Sequence, residues 1–251
     1  ATMMNDLVGS IAIPRQTGGA TSYWVAESGA VTESQAAFDQ VTMSPKTVGS
    51  VSDISRKMLL QSSMDVESFV RNDLATSLAL AIDSAAINGS GASNQPTGIL
   101  NTSGIGSVVG GTNGAAPDWA DIVDLESAVA IDNADMGALG FLTNAATRGK
   151  LLQTEKASGT AQYVWSDSNT LRGYNAAVSN QVPSNGTKGT GTALSSMVFG
   201  NWNDLIIGTW GGIDINVDTS TGSASGTVRV VALQDVDIAV RHAESFAAMT
   251  D

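Results

Sequence analysis

Any catalytic chemistry in this chain is limited first by its single histidine, His242. A hydrolase of the Ser-His-Asp type would have to use it, because imidazole is the general base of that mechanism. No Gly-x-Ser-x-Gly segment, which presents the serine nucleophile in many such enzymes, occurs in the sequence. We therefore predict that His242 is a partly exposed residue near the end of a strand, and we assign no catalytic residue.

A metal site would have to be built almost entirely from carboxylates, because the chain contains no cysteine. The lack of cysteine also excludes disulfide bonds and thiol nucleophiles. Four aspartates lie near one another in the sequence: Asp214, Asp218, Asp235 and Asp237. Acidic residues in strands more often lie at solvated strand edges, so we predict neither a metal nor any other cofactor.

The charge of the chain argues against a tight grip on nucleic acid. Its 24 acidic and 12 basic residues give a formal net charge of −12. Phosphate binding needs clustered Lys and Arg, and Arg56-Lys57 is the only adjacent basic pair. If this protein meets DNA, we expect it to confine the DNA rather than to bind a sequence. No run of about 18 apolar residues is present to span a membrane, and the start lacks a basic signal-peptide region.

The strongest structural signal is an amphipathic helix, predicted from about Met64 to Ile87. Apolar residues recur there at helical spacing, and Asn88-Gly89 supplies a stop signal. A helix of about 24 residues is roughly 36 Å long, which suits the spine of an elongated domain. A second helix is predicted from Pro117-Asp118-Trp119 to about Ile131, with acidic residues in its first turns.

A long polar segment precedes the first helix. Strands are predicted at residues 8–14 and 21–27, and a weaker one at 47–57. Val41, Met43 and Pro45 alternate with polar residues, which predicts an extended hairpin arm over residues 28–46. A polar excursion of this length is unusual inside a self-contained domain. We therefore expect the arm to lie on a neighbouring copy of the chain.

The second half of the chain is predicted to consist of strands with one short helix. The helix is placed at 145–152, and the strands at 138–143, 176–179, 196–199, 205–209, 213–217 and 228–240. Thr219–Gly226 is predicted to form a flexible, hairpin-like tip. The five tryptophans are scattered rather than interleaved with basic residues. We expect them to pack in the core or at subunit contacts rather than to stack on bases.

The order of these elements resembles the major capsid proteins of tailed bacteriophages with the Hong Kong 97-like fold. Three pieces carry the resemblance: the arm and loop at 13–49, the helix with its Gly-rich exit Pro96-Thr97-Gly98-Ile99 at 55–100, and the closing strands with the terminal Ala/Glu/Phe segment at 199–217 and 228–249. No single motif is diagnostic. The resemblance implies an α+β fold with an N-terminal arm, an extended β-hairpin loop, a peripheral domain with a long spine helix, and an axial domain.

By position, the resemblance assigns each part of the chain to one of these units. The N-terminal arm is 1–18 and the extended loop 19–46. The peripheral domain is 47–115 with 211–237, and the axial domain is 116–210 with 238–251. The loop is expected to contact a neighbouring subunit through Trp24, Glu27, Phe38, Gln40, Val41, Met43 and Lys46. A second contact, near a local three-fold axis, is expected through Thr219, Ser220, Thr221, Gly222 and Ser223.

The family type joins its subunits by an isopeptide bond between a loop lysine and an asparagine, assisted by a glutamate. The matching positions here are Gln40, a position near Thr227 and a position near Gln234. All three depart from the pattern, so no autocatalytic cross-link is predicted, although Lys46 lies in the return limb of the loop. Nothing resembles the N-terminal scaffolding segment that many members lose on maturation. A processed chain and a separate scaffold are therefore both left open.

The resemblance implies a non-enzymatic shell subunit. Copies would assemble into pentamers and hexamers of an icosahedral virion capsid that encloses double-stranded DNA, in the cytoplasm of a bacterial host. Expected partners are other copies of the chain, with scaffold, portal and cement proteins as further candidates. Two alternatives stay open: an encapsulin-like compartment that stores enzymes, and an acidic hydrolase that acts through His242.

Overall fold

The computed structural model describes residues 1–61, 66–166, 168–222 and 224–251. The α-helices are α1 (Arg56–Gln61), α2 (Val66–Asn88), α3 (Trp119–Ile131) and α4 (Ala145–Leu151). The strands are β1 (Thr2–Met4), β2 (Ile11–Gly18), β3 (Ala37–Met43), β4 (Lys46–Ser55), β5 (Gly106–Val108), β6 (Leu139–Thr143), β7 (Thr170–Leu171), β8 (Tyr174–Val178), β9 (Gly186–Lys188), β10 (Gly191–Leu194), β11 (Met197–Asn201), β12 (Leu205–Thr209), β13 (Asp214–Asp218), β14 (Thr227–Val240) and β15 (Phe246–Met249). Short 3-10 turns lie at Ile99–Asn101, Trp202–Asp204 and Ala243–Ser245.

A five-stranded sheet is organised around the long strand β14. Strand β4 runs antiparallel along one edge of β14, from Ser55 opposite Thr227 to Lys46 opposite Val236. Strands β13 and β12 follow each other along the other edge, and β1 adds in parallel to β12. Helix α2 packs on one face of this sheet through Leu74 and Leu78. The apolar stripe of the helix thus attaches the spine to the sheet, as the sequence pattern predicts.

A six-stranded sheet, in the order β5-β15-β11-β6-β8-β7, forms the second half of the molecule. Helix α3 covers it and contributes fully buried Ile122, Leu125 and Val129. Beneath the helix, the rings of Phe141 and Phe199 lie 4.4 Å apart. A further apolar cluster contains residues from both sheets, so the two halves share continuous packing. The whole chain is therefore an α+β fold.

The predicted helices are confirmed closely. Helix α2 ends at Asn88, and Met64, where the prediction began, lies outside the described residues. Helix α3 begins at Trp119, capped by Asp118, whose carboxylate accepts hydrogen bonds from the backbone N–H groups of Ala120 and Asp121. The Asp121 carboxylate accepts the Asp118 N–H in return, at 2.9 Å. This reciprocal capping box satisfies amide groups that a helix start leaves unpaired.

Three parts of the strand prediction are wrong or incomplete. The strand predicted at 21–27 is absent, because the partner of β2 is β3, and residues 19–36 between them form no strand. The first predicted strand, 8–14, is shifted to Ile11–Gly18. No strand is predicted from the sequence at the position of β15. All four residues of β15 are buried, so both of its faces are covered and no polar alternation marks it.

The Gly-rich exit of α2 contains a close backbone crossing. Gly98 donates its N–H to the carbonyl of Gly89 at 2.9 Å. A Cβ at Gly98 would lie 2.6 Å from the Ala85 carbonyl oxygen and 2.7 Å from the Asn88 nitrogen. Both distances are too short for a carbon atom, so only glycine fits at position 98 without a shift of the backbone.

We expect Gly98→Ala to lower the free energy of unfolding by about 1–3 kcal/mol, because the backbone must move apart. Urea denaturation measures this change. Gly149→Ala is the matched control, since a Cβ there meets nothing within 4 Å. In the interior of α4, that control should be neutral or stabilising by up to about 1 kcal/mol. Equal effects of the two substitutions would contradict the crossing as the cause.

Candidate intersubunit contact surfaces

The first candidate surface is carried by the hairpin of β2 and β3. Its register runs from Ile11 opposite Met43 to Gly18 opposite Ala37. Arg15 on β2 forms an ion pair with Asp39 on β3, at 2.7 Å. The hydrogen bond from this guanidinium lowers the pKa of the Asp39 carboxyl. The arm is therefore a two-stranded element held by ladder hydrogen bonds and a cross-strand ion pair.

The end of the hairpin, residues 19–36, is here called the tip. Every residue from 19 to 33 is exposed, and the Trp24 side chain is as accessible as in an extended peptide, at 105%. The tip contains a hydrogen bond from the Thr21 N–H to Ser34 Oγ, at 2.9 Å, and one from the Gly29 N–H to the Ala26 carbonyl. A cluster of exposed Tyr, Trp and Val side chains is typical of a surface that a partner covers.

The base of the hairpin is fixed by one buried carboxylate, Asp237, whose side chain is 3% exposed. Its Oδ2 accepts the Ser44 N–H at 2.9 Å, and its Oδ1 accepts from Lys46 Nζ at 2.6 Å. Its Oδ1 also accepts the N–H of Ile238 at 2.9 Å. Asp237 therefore sets the direction in which the arm leaves the body. This corrects the expectation that Asp237 is a solvated residue of a strand edge, because the hairpin base covers it.

The seven residues predicted to contact a neighbour fall into two groups. Six lie in the tip or on β3, and four of these are exposed: Trp24, Glu27, Phe38 and Gln40. The fifth of these, Val41, is half-buried against the body. Met43 is fully buried with Ile206 and Ala239, and Lys46 is paired with Asp237. These last two residues therefore contact their own chain, because the strand turns back into the sheet directly after Met43.

The second predicted surface, at Thr219–Gly222, is a hydrogen-bonded turn at the end of the five-stranded sheet. The Asp218 carboxylate accepts the N–H groups of Ser220, at 2.7 Å, and Thr221, at 3.2 Å, and also the Thr221 hydroxyl. The hydroxyl and the two amides lower the Asp218 pKa. The tip predicted to be flexible is thus held by Asp218, the residue directly before it. Ser223 lies outside the described residues.

We expect Asp218→Ala to speed hydrogen exchange at the amides of Ser220 and Thr221 by about fivefold, the effect of one lost hydrogen bond. Asp214→Ala, at the other end of β13, is the control and should leave these amides unchanged. Because the Asp218 pKa is lowered, the turn should be stable above the usual pKa of aspartate. Its protection should be lost as the pH falls through the lowered value. Mass-spectrometric exchange reports both effects, and equal rates in the two variants would exclude the cap.

Arg229 links the same end of the sheet across two strands. Its guanidinium makes two hydrogen bonds to Asp53 on β4, at 2.7 and 2.8 Å. This bidentate contact lowers the pKa of Asp53 and raises that of Arg229. Of the four aspartates considered for a metal site, Asp218 and Asp237 accept the hydrogen bonds described above, and Asp235 accepts the Thr47 hydroxyl at 2.5 Å. Across the four described ranges, no group of three or more His, Cys, Asp or Glu could hold a metal ion.

His242 follows the end of β14 and is partly exposed, as predicted. It lines a groove of about 840 Å³ between the hairpin and the body, together with Asp204 and Glu244. The nearby Ser245 hydroxyl donates to Asp204 at 2.8 Å. No hydrogen bond between the imidazole and a hydroxyl or carboxylate is present in the described part of the chain. The geometry therefore supplies no serine–histidine pair.

None of the described helices has the length and apolarity needed to cross a bilayer.

Comparison with protein families matches the chain to the Phage capsid family over residues 1–251. Two curated relatives are major capsid proteins. The protein of Halomonas phage phiHAP-1 is 34% identical over 246 residues, and that of Klebsiella oxytoca phage phiKO2 is 26% identical over 252 residues. The alignments cover 98% and 94% of this chain but only 38% and 58% of those proteins. The chain thus spans less than two thirds of the length of these relatives.

Solved structures with a similar fold cover nearly the whole chain. The capsid of a native GTA particle, computed with C5 symmetry, has a TM-score of 0.78 at 22% identity, over 99% of this chain and 87% of that one. A chain from Mycobacterium phage Ogopogo has a TM-score of 0.74 at 18% identity, over 97% and 87%. At these identities, the likeness shows the fold.

Proposed function

Because this chain belongs to the phage capsid family and has its Hong Kong 97-like α+β fold, we propose that it is the shell-forming part of a major capsid protein. Copies assemble through repeated heterologous contacts into pentamers and hexamers. These close as an icosahedral shell that encloses DNA. With a net charge of −12, the chain confines DNA by repulsion and makes no sequence-specific contact.

The observation that carries this proposal is the exposed tip at the end of a fixed hairpin. Asp237 holds the base of the arm rigidly, while the Trp24 indole at its end is left in water. Burying about 150–250 Å² of a tryptophan side chain contributes roughly 4–6 kcal/mol at 25 cal/mol per Å². A second copy that covers the tip gains this free energy at every contact of a closed shell, where contacts are numerous.

The finer parts of the proposal concern the domain boundaries, the partner proteins and the location of the shell. We assign an N-terminal arm (1–18), an extended loop (19–46), a peripheral domain (47–115 and 211–237) and an axial domain (116–210 and 238–251). The hairpin itself crosses the first of these boundaries, since β2 lies before residue 19 and β3 after it. The shell lies in the virion after assembly in the host cytoplasm, with scaffold, portal and cement proteins as further partners. The subunit has no catalytic activity.

The test is negative-stain electron microscopy together with sedimentation velocity over a range of protein concentrations. The proposal predicts capsomer rings or closed icosahedral particles that appear as the concentration rises. The control is the same protein in about 1 M salt, which screens exposed charge contacts. A compact monomer at every concentration and salt level would contradict the proposal.

The absence of a covalent cross-link stays a prediction. Gln40 lies exposed on β3, and Thr227 and Gln234 lie on β14. None of these side chains supplies the lysine, asparagine or glutamate of the family reaction. Assembled particles that are boiled in SDS should therefore run as one monomer band, and a ladder of covalent multimers would overturn the prediction.

A further inference from the structure

A cavity of about 410 Å³ lies between helix α2 and strand β4, and residues 46–49, the first four of β4, line part of it. Successive residues of a strand point to opposite faces of a sheet, so four in a row can line one cavity only along the edge of the strand. Among the described strands, β14 is the only partner of β4. The unpaired edge of β4, with its main-chain N–H and C=O groups, therefore forms one wall of the cavity.

Another part of the lining is apolar and belongs to the core. Ala85 of α2 and Val236 and Ile238 of β14 are buried, and Val48 and Ile82 are half-buried beside them. Small-molecule sites are typically cavities of about 300–1,000 Å³ with mostly apolar walls and a few polar groups. The volume and the lining of this cavity therefore fit a compact ligand with an aromatic or branched aliphatic body.

Hydrogen-bond donors are present in the same lining. Lys46 uses one of its three ammonium hydrogens in the bond to Asp237, at 2.6 Å, and makes no second hydrogen bond within the described ranges. Gln95 accepts the N–H and the hydroxyl of Ser90 through Oε1, at 3.0 and 2.9 Å, which leaves its amide hydrogens available. Asn94 adds a second side-chain amide. These groups can bind a polar head on the ligand.

The charge of the lining selects the sign of that head. The chain has 24 acidic and 12 basic residues, yet among the described residues that line the cavity one is basic, Lys46, and none is acidic. The groove beside His242, in contrast, contains Asp132, Asp204 and Glu244 and repels anions. We propose that the cavity between α2 and β4 binds a small amphipathic anion, whose apolar body packs on the core residues and whose head contacts Lys46. This inference does not depend on the proposed function.

Binding at this site acts on the base of the hairpin. Lys46 begins β4 directly after the arm, and its ammonium is the ion-pair partner of Asp237. A bound anion shares that ammonium with Asp237, so the two interactions are coupled. Because such coupling is reciprocal, a change that removes the Asp237 charge should strengthen binding of the anion.

Fluorescence titration with anilinonaphthalene sulfonate, below the protein concentration at which the chain assembles, tests the site. This probe joins an aromatic body to an anionic head. Ala81 is exposed on α2 and lines the cavity. Ala81→Leu should raise the Kd of the probe at least about tenfold, a loss of about 1.4 kcal/mol, because the added carbons occupy the cavity. Ala79→Leu is the matched control, since Ala79 is exposed on the same helix and lies outside the lining. Equal Kd values in all three chains would mean adventitious adsorption and would overturn the site.

The role of the anionic head is tested with anilinonaphthalene, which has the same rings without the sulfonate. The neutral probe is the more apolar of the two, yet it should bind at least about fivefold more weakly, because it lacks the charge-assisted contact with Lys46. Asp237→Asn, at a temperature where circular dichroism shows it folded, should lower the Kd of the sulfonate probe at least about threefold and leave that of the neutral probe unchanged. Equal binding of the two probes to the unmodified chain, or no gain in Asp237→Asn, would overturn the proposal of an anion.

Hydrogen exchange with mass-spectrometric detection locates the bound probe. The sulfonate probe should slow exchange in residues 46–49 and 90–96 of the unmodified chain and of Ala79→Leu, and should have no such effect in Ala81→Leu. Protection confined to the exposed tip would place the probe on the aromatic side chains there and would contradict the cavity as its site.

Discussion

Replacing Asp237 with alanine is expected to lower the free energy of unfolding by about 3–5 kcal/mol, because removal of one partner of a buried ion pair leaves the other uncompensated. Lys46, whose side chain is 28% exposed, loses its counter-ion, and the Ser44 N–H loses its acceptor. The loss should appear in urea denaturation as a lower midpoint at an unchanged slope. The hairpin base is then no longer tied to β14, so assembly should fall even at temperatures where the body remains folded.

Asp235→Ala is the matched control for this prediction. Asp235 lies two positions earlier on the same strand, and its carboxylate accepts one hydroxyl hydrogen bond, from Thr47. Its loss should cost about 1 kcal/mol. Asp237→Asn should be intermediate, because the amide oxygen can still accept the Ser44 N–H while the charge is gone. Equal losses in Asp235→Ala and Asp237→Ala would show that Asp237 has no special role at the base of the hairpin.

The role of Asp237 in fixing the base of the hairpin could not be predicted from the sequence. Its partners Ser44 and Lys46 are 193 and 191 positions away. In sequence, Asp237 cannot be told from Asp235, and the pattern predicts that both are solvated strand residues. Burial separates them, and burial depends on where the hairpin base crosses the sheet. A buried carboxylate paired across such a distance leaves no local pattern.

The elements that the sequence did predict are those held by local signals. Helix α2 has an apolar stripe and a terminal Asn88-Gly89, and helix α3 has its Asp118 cap. The strand prediction at 21–27 failed for the opposite reason. Tyr23, Trp24 and Val25 suggest a strand, but no strand among the described residues pairs with them. Their apolar character is explained if the surface that covers them belongs to another molecule, which no single chain contains.

Deletion of residues 21–34 is expected to abolish assembly while the body stays folded. It joins β2 to β3 through a four-residue loop of Gly19, Ala20, Gln35 and Ala36, a length common in hairpins. Since residues 19–33 are exposed, little packing is lost. The shorter loop should leave the free energy of unfolding unchanged or raise it by about 1 kcal/mol. Assembly loses the burial of Trp24, so the concentration for half-assembly should rise at least about a hundredfold.

The matched control keeps the length of the tip but replaces residues 21–34 with a Gly/Ser sequence. This variant has the same reach and lacks the aromatic and acidic side chains. If those side chains make the contact, it should assemble as poorly as the deletion, whereas a tip that acts only as a spacer would still permit assembly. Trp24→Ala should fall between the deletion and the unmodified chain. Assembly of all three variants at the unmodified concentration would mean that the shell is held together by other surfaces.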